Sequence, residues 1–411
     1  MRVLQVNKFF FDKGGTERYL FALSDALEAR GHQVIHFSMH HPDNRPSPYA
    51  DYFVTQKDYE HPDSSLARLA MGSSFIRSRE AASNIRSLIE ATRPDIVHLH
   101  NIYHQITPSI LPVLKRAGIP VVMTLHDYKL ICPNYSLFDG SAYCYRCRGG
   151  RFYRAPLTRC RDGSILLSAL VSAEAYWQKL TGVYESVVYF FAPSRFIRNT
   201  FVAEGYSRDR VIYLPAFVPP MENSSEGGAA VVSLPDSYIL YFGRLSVEKG
   251  LGTLVRAIGQ ATDLNLVIAG DGPLRQELER MAASDAPGRI HFTGHLDKGA
   301  LAEVILSSRM VVLPTESPEN APFTVLESMA LGVPIVTSDL GGLPELAERV
   351  DGGVFHAGDV DELVACLRRF WNDPELGARS GTLGRQVVAS EFTSDRHLSR
   401  LEDFYERAIA R

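Results

Sequence analysis

The sequence predicts an α/β protein built from two doubly wound, Rossmann-like domains in tandem. Short β-branched runs alternate with longer amphipathic stretches, which is the pattern of parallel sheets covered by helices. This alternation occurs twice, once on each side of a stretch rich in Pro, Ser and Gly. The length of 411 residues agrees with two or three domains at roughly 150 residues each.

Five runs in the first half of the chain read as buried strands because they are short, apolar and rich in β-branched residues. Between the first two runs, residues 16–30 carry leucines at helical spacing, and Gly31 is placed to end that helix. The predicted strands are residues 2–6, 33–38, 95–100, 120–126 and 187–192.

The second half repeats the alternation. Its predicted strands are residues 238–242, 264–269, 289–292, 310–313, 334–338 and 353–355, and residues 375–411 read as helical. The segment between the two halves has no periodicity and indicates a linker. We therefore predict an N-terminal domain at 1–218 with an insertion at about 128–185, a linker at 219–236, a C-terminal domain at 237–388 and a helical tail at 389–411.

Composition and charge exclude several classes of protein. With 45% hydrophobic and 22% charged residues, the chain is neither disordered nor collagen-like. Its 43 basic and 47 acidic side chains give a net charge of −4, which provides no overall field for binding a nucleic-acid backbone. No segment reads as a signal peptide or a membrane span, so we expect a cytoplasmic protein without a nucleic-acid partner.

In each domain, one predicted loop follows the first strand. Both loops lie at strand ends, where doubly wound folds bind ligands. The first contains Gly14 and Gly15 at the start of a predicted helix, where free backbone amides suit an anion. The second contains Gly243, Arg244 and Lys249, whose two cations are placed to converge on a diphosphate. A plain glycine turn and two surface cations are the structural alternatives.

A third loop lies between a predicted strand and a helix that begins near Pro322. Glu319 precedes this helix, and Glu327 lies within its apolar run, where a carboxylate needs a partner. The backbone amides of Phe323 and Thr324 are candidates to hold phosphate oxygens, and Glu327 is a candidate to accept the two hydroxyls of a ribose. The alternative is that Glu319 caps the helix and Glu327 forms a salt bridge.

Further motifs surround these loops. They are Glu248-Lys249-Gly250, Ala269-Gly270-Asp271-Gly272-Pro273, Gly332-Val333-Pro334, Gly341-Gly342 and Pro344-Glu345. Together with Gly243-Arg244 and the Glu319-x7-Glu327 pair, their order and spacing resemble the retaining family 4 glycosyltransferases of GT-B fold. The resemblance covers nearly the whole chain. It implies two Rossmann-like domains facing an interdomain cleft, with the nucleotide-sugar donor bound by the C-terminal one.

The resemblance also implies roles for residues of the C-terminal domain. Arg244 and Lys249 match the pair that binds the donor diphosphate and stabilises the leaving nucleotide without a metal ion. Glu319 matches the carboxylate that contacts the donor sugar, and Glu327 matches the one that holds the ribose. Transfer would retain the configuration of the anomeric carbon. The departing phosphate would serve as the base, and no side chain is assigned as a nucleophile.

In the N-terminal domain, Gly14 and Gly15 match the glycine loop that closes on the phosphates and the reacting sugar. His126, at the end of a predicted strand, matches a histidine near the donor sugar; read alone, it fits a structural histidine. The chain departs from many members of the family at Pro322, where they have glycine. Since proline has no amide to donate, a phosphate contact there would come from Phe323 or Thr324.

Four of the five cysteines lie close together in the sequence, within the insertion. Cys132, Cys144, Cys147 and Cys160 form a C-x11-C-x2-C-x12-C pattern. The central C-x2-C pair is a common chelate for zinc, and four thiolates would form a closed structural site. Free thiols or redox chemistry are the alternatives because the outer spacings are not those of a standard zinc ribbon.

The same insertion carries six arginines without an intervening acid: Arg146, Arg148, Arg151, Arg154, Arg159 and Arg161. An apolar stretch at 165–171 follows them. This combination favours an anionic membrane surface and a lipid-linked acceptor at the inner face of the membrane, although a buried helix would explain the apolar stretch equally well.

These observations predict a hexosyltransferase that moves a sugar from a nucleotide-sugar donor to a saccharide or lipid-linked acceptor. UDP is the first expectation for the donor nucleotide and GDP the second. Alternatives are another GT-B enzyme, such as a sugar-phosphate or sucrose-type synthase or an epimerase, and a nucleotide-sugar-binding partner protein that has lost transfer activity.

Overall fold

The computed structural model describes residues 1–57, 75–218 and 234–411. Within these residues the chain forms two compact α/β units. The first unit comprises Met1–Tyr135, Tyr145–Pro215 and Asp395–Arg411, and the second comprises Ser136–Cys144 and Ala216–Ser394. Most of the predicted linker, residues 219–233, lies outside the described residues.

The described part of the first unit contains a parallel sheet of six strands in the order β2-β1-β3-β4-β5-β6. The strands are β1 (Arg2–Val6), β2 (Gln33–Phe37), β3 (Ile96–Leu99), β4 (Val121–Thr124), β5 (Val187–Ala192) and β6 (Val211–Tyr213). Its longer helices are α1 (Gly15–Ala29), α2 (Arg79–Thr92), α3 (Leu111–Arg116), α4 (Arg154–Thr158), α5 (Ile165–Thr181) and α6 (Arg195–Ala203).

The second unit repeats this design, with a described parallel sheet of six strands in the order β12-β11-β10-β7-β8-β9. The strands are β7 (Ile239–Phe242), β8 (Leu266–Ala269), β9 (Ile290–Gly294), β10 (Met310–Leu313), β11 (Ile335–Ser338) and β12 (Gly353–Phe355). The helices are α7 (Leu251–Gln260), α8 (Arg275–Asp285), α9 (Lys298–Leu306), α10 (Phe323–Leu331), α11 (Leu343–Ala347), α12 (Val360–Asn372) and α13 (Pro374–Glu391).

The prediction of two doubly wound units is confirmed, and each predicted strand is present with its ends shifted by at most two residues. Strand β6 was not predicted. It has three residues, of which Val211 alone is buried, so it lacks the apolar run that marks the central strands. Such a run is expected only where helices cover both faces of a strand.

The last helix, α14 (Ser394–Ile409), packs on the first unit, whereas the sequence predicted only a separate tail. Tyr405 is fully buried, and its hydroxyl lies 2.6 Å from Nδ1 of His98 on β3. His397 lies 2.9 Å from the Tyr19 hydroxyl on α1. The C-terminal helix is therefore part of the first unit's core.

The insertion after β4 contains α4 and α5, with a buried ion pair between Lys129 and Glu174 at 2.7 Å. On helix α5, Val171 and Ala175 are buried. Its first turn leaves Ile165 and Leu166 exposed. Among the described residues, no helix combines the length and the hydropathy that crossing a bilayer requires.

Candidate active site

In the second unit, the predicted site residues lie on loops at one edge of the sheet. Strands β10, β7 and β8 are neighbours and run parallel, so the loops that follow them leave the sheet side by side. These loops carry Arg244 and Lys249 after β7, the Gly270–Pro273 segment after β8, and Glu319 after β10. The fold thus brings together residues that are up to 75 positions apart in sequence.

Lys249 and Glu319 form an ion pair between the first and third of these loops. Burial lowers the pKa of the Lys249 ammonium, but the carboxylates of Glu319 and Glu248 outweigh this effect and raise it above the usual value. Lys249 therefore carries its charge across the physiological pH range. Arg244 is exposed on the same loop and places a second cation at this edge.

Backbone contacts hold the Lys249 loop against the end of β10. The carbonyl oxygen of Glu248 accepts hydrogen bonds from the Thr315 hydroxyl at 2.8 Å and from the Glu316 amide at 2.9 Å. Gly250 has φ +67°, and a Cβ atom there would lie 1.9 Å from the Pro314 carbonyl oxygen. The glycine after Lys249 is therefore required for the two loops to approach each other.

The Gly270-Asp271-Gly272 motif supports the Arg244 loop in the same way. The Gly243 amide donates to the Ala269 carbonyl at 2.9 Å, and the Leu245 amide donates to the Asp271 carbonyl at 3.0 Å. A Cβ atom on Gly270 would lie 2.0 Å from the Gly243 carbonyl oxygen. This close approach fixes the backbone on both sides of Arg244.

The Gly341-Gly342 pair holds Glu319. The Gly342 amide donates to the Glu319 carbonyl at 2.7 Å. Gly341 has φ +70°, and a Cβ atom there would lie 2.1 Å from the same carbonyl oxygen. The three glycine motifs of the second unit therefore have one physical role: each allows a backbone to approach a loop that carries a charged side chain.

Helix α10 begins one residue after Pro322, which lies at the N-cap with extended backbone angles and not within the first turn. The amides of Val325 and Leu326 donate to the Pro322 carbonyl at 3.1 and 3.2 Å, so those of Phe323 and Thr324 are the candidates in this turn to meet an anion. Glu327 lies one turn further along and is 1% exposed. An α-helix N-terminus with a buried carboxylate one turn away can bind both an anion and a diol.

In the first unit, Gly14 is the N-cap of α1 and Gly15 its first residue. Gly14 has an extended backbone with φ −179°, which any residue can adopt. A Cβ atom there would meet only Glu17 Oε2, at 3.9 Å. The local fold therefore does not require glycine at position 14, and its effect is to leave the N-terminus of α1 open.

His126 follows β4 and joins a chain of buried polar groups. Its Nε2 lies 2.9 Å from His100 Nδ1, and His100 Nε2 lies 2.7 Å from Gln5 Oε1. Burial lowers the pKa of His126 to about 3. The imidazole is therefore neutral at physiological pH and is held in a fixed orientation, which suits hydrogen bonding better than proton transfer.

The structure reveals three charged groups beside His126 and the Gly14 loop that the sequence analysis missed. Burial lowers the pKa of Lys8 to about 8 and raises the pKa values of Glu17 and Asp127. Asp127 accepts a hydrogen bond from the Tyr103 hydroxyl. Two of these groups could have been found from the sequence, because Lys8 and Asp127 are charged residues that follow a predicted strand by two residues or fewer.

The four cysteines of the insertion differ in burial: Cys132 is buried, and Cys144, Cys147 and Cys160 are partly exposed. In the described ranges, which include all four, no three His, Cys, Asp or Glu side chains form a group that could hold a metal ion. The donor set is thus not assembled in this arrangement. The structural zinc site remains a prediction, to be tested by metal analysis of the purified, reduced protein.

Two protein families match the chain. The family described as Glycosyltransferase Family 4 matches residues 13–221, about half of the chain, and the family described as Glycosyl transferases group 1 matches residues 231–387. The chain is 27% identical over 398 residues to a glycogen synthase of Mycobacterium tuberculosis, covering 92% of this chain and 87% of that protein.

A second relative matches over a shorter stretch. The chain is 32% identical over 152 residues to the sulfoquinovosyl transferase SQD2 of Arabidopsis thaliana, covering 36% of this chain but only 29% of that protein. Among solved structures, Anabaena HepE in complex with UDP and glucose has a TM-score of 0.68 at 16% identity, covering 99% of this chain and all of that one. The likeness to this structure establishes the GT-B fold.

Proposed function

The chain belongs to glycosyltransferase family 4, and from this premise we propose that it is a retaining hexosyltransferase that transfers a sugar from a UDP-sugar to a saccharide or lipid-linked acceptor. The observation that carries the proposal is the edge of the second sheet, where Arg244, Lys249 and Glu319 lie beside the N-terminus of α10. The two cations and the helix N-terminus attract the negative charges of a sugar diphosphate, and Glu319 can accept hydrogen bonds from the hydroxyls of the sugar.

In the proposed reaction, the bond between the anomeric carbon and the phosphate oxygen breaks, and negative charge develops on the leaving diphosphate. Arg244 and Lys249 stabilise that charge, which is the task a divalent metal performs in other enzymes. The diphosphate competes with Glu319 for the Lys249 ammonium, and Glu319 becomes available for hydroxyls of the donor sugar. The acceptor oxygen bonds to the anomeric carbon on the face that the phosphate leaves, and the departing phosphate accepts the proton of the acceptor hydroxyl.

UDP is the nucleotide we propose first. The Anabaena structure was solved with UDP and glucose, although at 16% identity it supports the fold more strongly than the ligand. A relative from Corynebacterium glutamicum, 29% identical over 160 residues, is named as GDP-mannose-dependent, so GDP is the second candidate.

Two measurements test the proposal. Thermal unfolding with UDP, GDP, ADP and dTDP should give a selective shift with UDP, because a ligand that binds only the folded state stabilises it. Proton NMR of slow UDP-α-glucose hydrolysis should then detect α-glucose before mutarotation. Initial release of β-glucose would contradict retention, and binding without hydrolysis or transfer would favour a non-catalytic partner protein.

Gly341→Ala should reduce activity by displacing Glu319. A Cβ atom at this position collides with the Glu319 carbonyl oxygen, and misplacing a group of the site by about 1 Å can cost about 100-fold in rate. The measurement is kcat/KM for hydrolysis of the donor. We expect a fall of about that size, together with weaker binding of the intact donor.

Gly358→Ala is the matched control for Gly341→Ala. Gly358 has φ +83°, so alanine there also costs about 1–2 kcal/mol of backbone strain, but apart from its two chain neighbours no described residue has an atom within 4 Å of the added Cβ. Activity of this variant should stay near that of the wild type. Equal losses in the two variants would mean that backbone strain, and not the position of Glu319, controls the rate.

We propose further that the insertion binds the inner face of a membrane that carries anionic lipid. Leu157 on α4 is 76% exposed, and two neighbours in the first turn of α5, Ile165 and Leu166, are 50% and 82% exposed. Exposed arginines, among them Arg151 and Arg159, come from the same segment. Apolar side chains flanked by cations match the interface of an anionic bilayer.

Leu166→Asp should weaken this binding because it places a carboxylate at the apolar surface. The measurement is co-flotation with vesicles of phosphatidylcholine containing phosphatidylglycerol. Leu180→Asp is the control, since Leu180 lies at the other end of the same helix and is 84% exposed. We expect Leu166→Asp to stay in the soluble fraction and Leu180→Asp to float like the wild type. A wild-type protein that does not float would overturn the proposal.

A further inference from the structure

The first unit contains a cavity of about 680 Å³ between the insertion and the sheet. Helix α5 contributes Gln178 and Lys179 to its wall. Other wall residues lie at 182–185, before β5, and at 204–210, before β6. This part of the wall is at the amino ends of the strands, whereas Gly14 and His126 follow strands at their carboxyl ends.

Two buried polar atoms of the wall have no hydrogen-bond partner among the described residues: the Tyr184 hydroxyl and Oε1 of Glu204. Tyr184 is 8% exposed and the Glu204 side chain 6% exposed. The other carboxylate oxygen of Glu204 accepts a hydrogen bond from the Gly149 amide at 2.7 Å, which fixes its orientation. The nearest cation to Oε1 is Arg148, whose Nε is 3.7 Å away.

Leaving such groups unsatisfied destabilises the fold, so a protein retains them where a ligand supplies the partners. Glu204 Oε1 requires a donor, and the Tyr184 hydroxyl can donate or accept. A hydroxyl-rich ligand provides both. The cavity volume also falls within the range of about 300–1,000 Å³ that is typical of small-molecule sites.

The charges and the rings of the wall narrow the class of ligand. Two cations, Lys179 and Arg210, are offset by two carboxylates, Glu185 and Glu204, so the wall carries no net charge that would favour an anion. Its remaining surface includes three aromatic side chains: Phe152, Phe190 and Tyr206. Aromatic rings beside a fixed carboxylate match the apolar C–H faces and the hydroxyls of a neutral sugar.

We propose that this cavity is a saccharide-binding site in which Glu204 and Tyr184 accept and donate hydrogen bonds to a neutral sugar unit. The site lies within the first unit, and all of its wall residues belong to that unit. The proposal rests on the first unit alone and does not depend on the donor chemistry.

Saturation-transfer-difference NMR on the full chain tests this site, with maltose, cellobiose, lactose, α-1,2-mannobiose and N,N′-diacetylchitobiose as probes. At least one disaccharide should receive saturation from the protein. Tyr184→Phe removes only the hydroxyl, and Glu204→Gln keeps an oxygen for the Gly149 amide. Glu204→Gln should weaken binding of that disaccharide about tenfold, because it replaces a hydrogen bond to a charged group by a weaker one between neutral groups. Tyr184→Phe should weaken it about threefold, because it removes one hydrogen bond between neutral groups.

Glu90→Gln, on the exposed side of α2, is the control and should bind the disaccharide like the wild type. Thermal unfolding verifies that each variant is folded. If Glu204→Gln does not fold, Tyr184→Phe provides the test. The proposal is overturned if no disaccharide binds or if both wall variants bind normally. It is also overturned if His126→Asn abolishes binding, which would place the sugar at the other edge of the sheet.

Discussion

Replacing Lys249 by alanine is expected to lower kcat/KM for sugar transfer or donor hydrolysis by about 100- to 1,000-fold. Loss of one preorganised group that stabilises developing negative charge costs this much in other enzymes. Lys249 is suited to that role because its charge is secured by Glu319 and its position is fixed by the contacts of Glu248 and Gly250 with the end of β10.

The same variant should lose most of its thermal shift with UDP, since it lacks the ammonium that we propose binds the diphosphate. Lys298→Ala, on the exposed first turn of α9, removes a lysine from the same unit without affecting the loops and should leave both measurements unchanged. If Lys249→Ala is folded and retains activity within about threefold of the wild type, the assignment of the diphosphate to this edge is wrong.

The strands could be predicted from the sequence because helices cover both faces of these parallel sheets. Such strands are continuous apolar runs, and Met310–Leu313 is buried at every position. The edge strand Val211–Tyr213 escaped prediction since it has only three residues, of which one is buried. Length matters as well as burial, because another edge strand, Ile290–Gly294, was predicted although none of its five residues is fully buried.

Contacts between distant segments could not be predicted in the same way. Helical periodicity marked residues 375–411 as helical, but it does not specify the sheet on which α14 packs. The ion pair between Lys249 and Glu319 joins residues 70 positions apart, and it became evident only when β7 and β10 proved to be neighbours. Glu17 looks like a surface residue in the sequence, and only the fold shows that it is buried.

Replacing Glu327 by glutamine should raise KM for the nucleotide sugar by about 10- to 100-fold with little change in kcat. Glu327 is 1% exposed and lies one turn inside α10, so in the proposed site its desolvated carboxylate would form strong hydrogen bonds with a ribose diol. The ribose is distant from the bond that breaks. Binding energy from such a remote group is equal in the ground state and the transition state and therefore appears in KM.

A comparison of UDP with 2′-deoxy-UDP isolates this contact. The wild type should bind UDP at least about tenfold more tightly than 2′-deoxy-UDP, since the deoxy analogue lacks the 2′-hydroxyl that would donate to the carboxylate. In Glu327→Gln the two nucleotides should bind almost equally, because the charge that strengthens the hydrogen bond to the 2′-hydroxyl is gone. Glu303→Gln, on the exposed face of α9, should preserve the wild-type preference. If the preference for UDP survives in Glu327→Gln, another group holds the ribose, and Glu327 instead stabilises the helix whose N-terminus faces the phosphates.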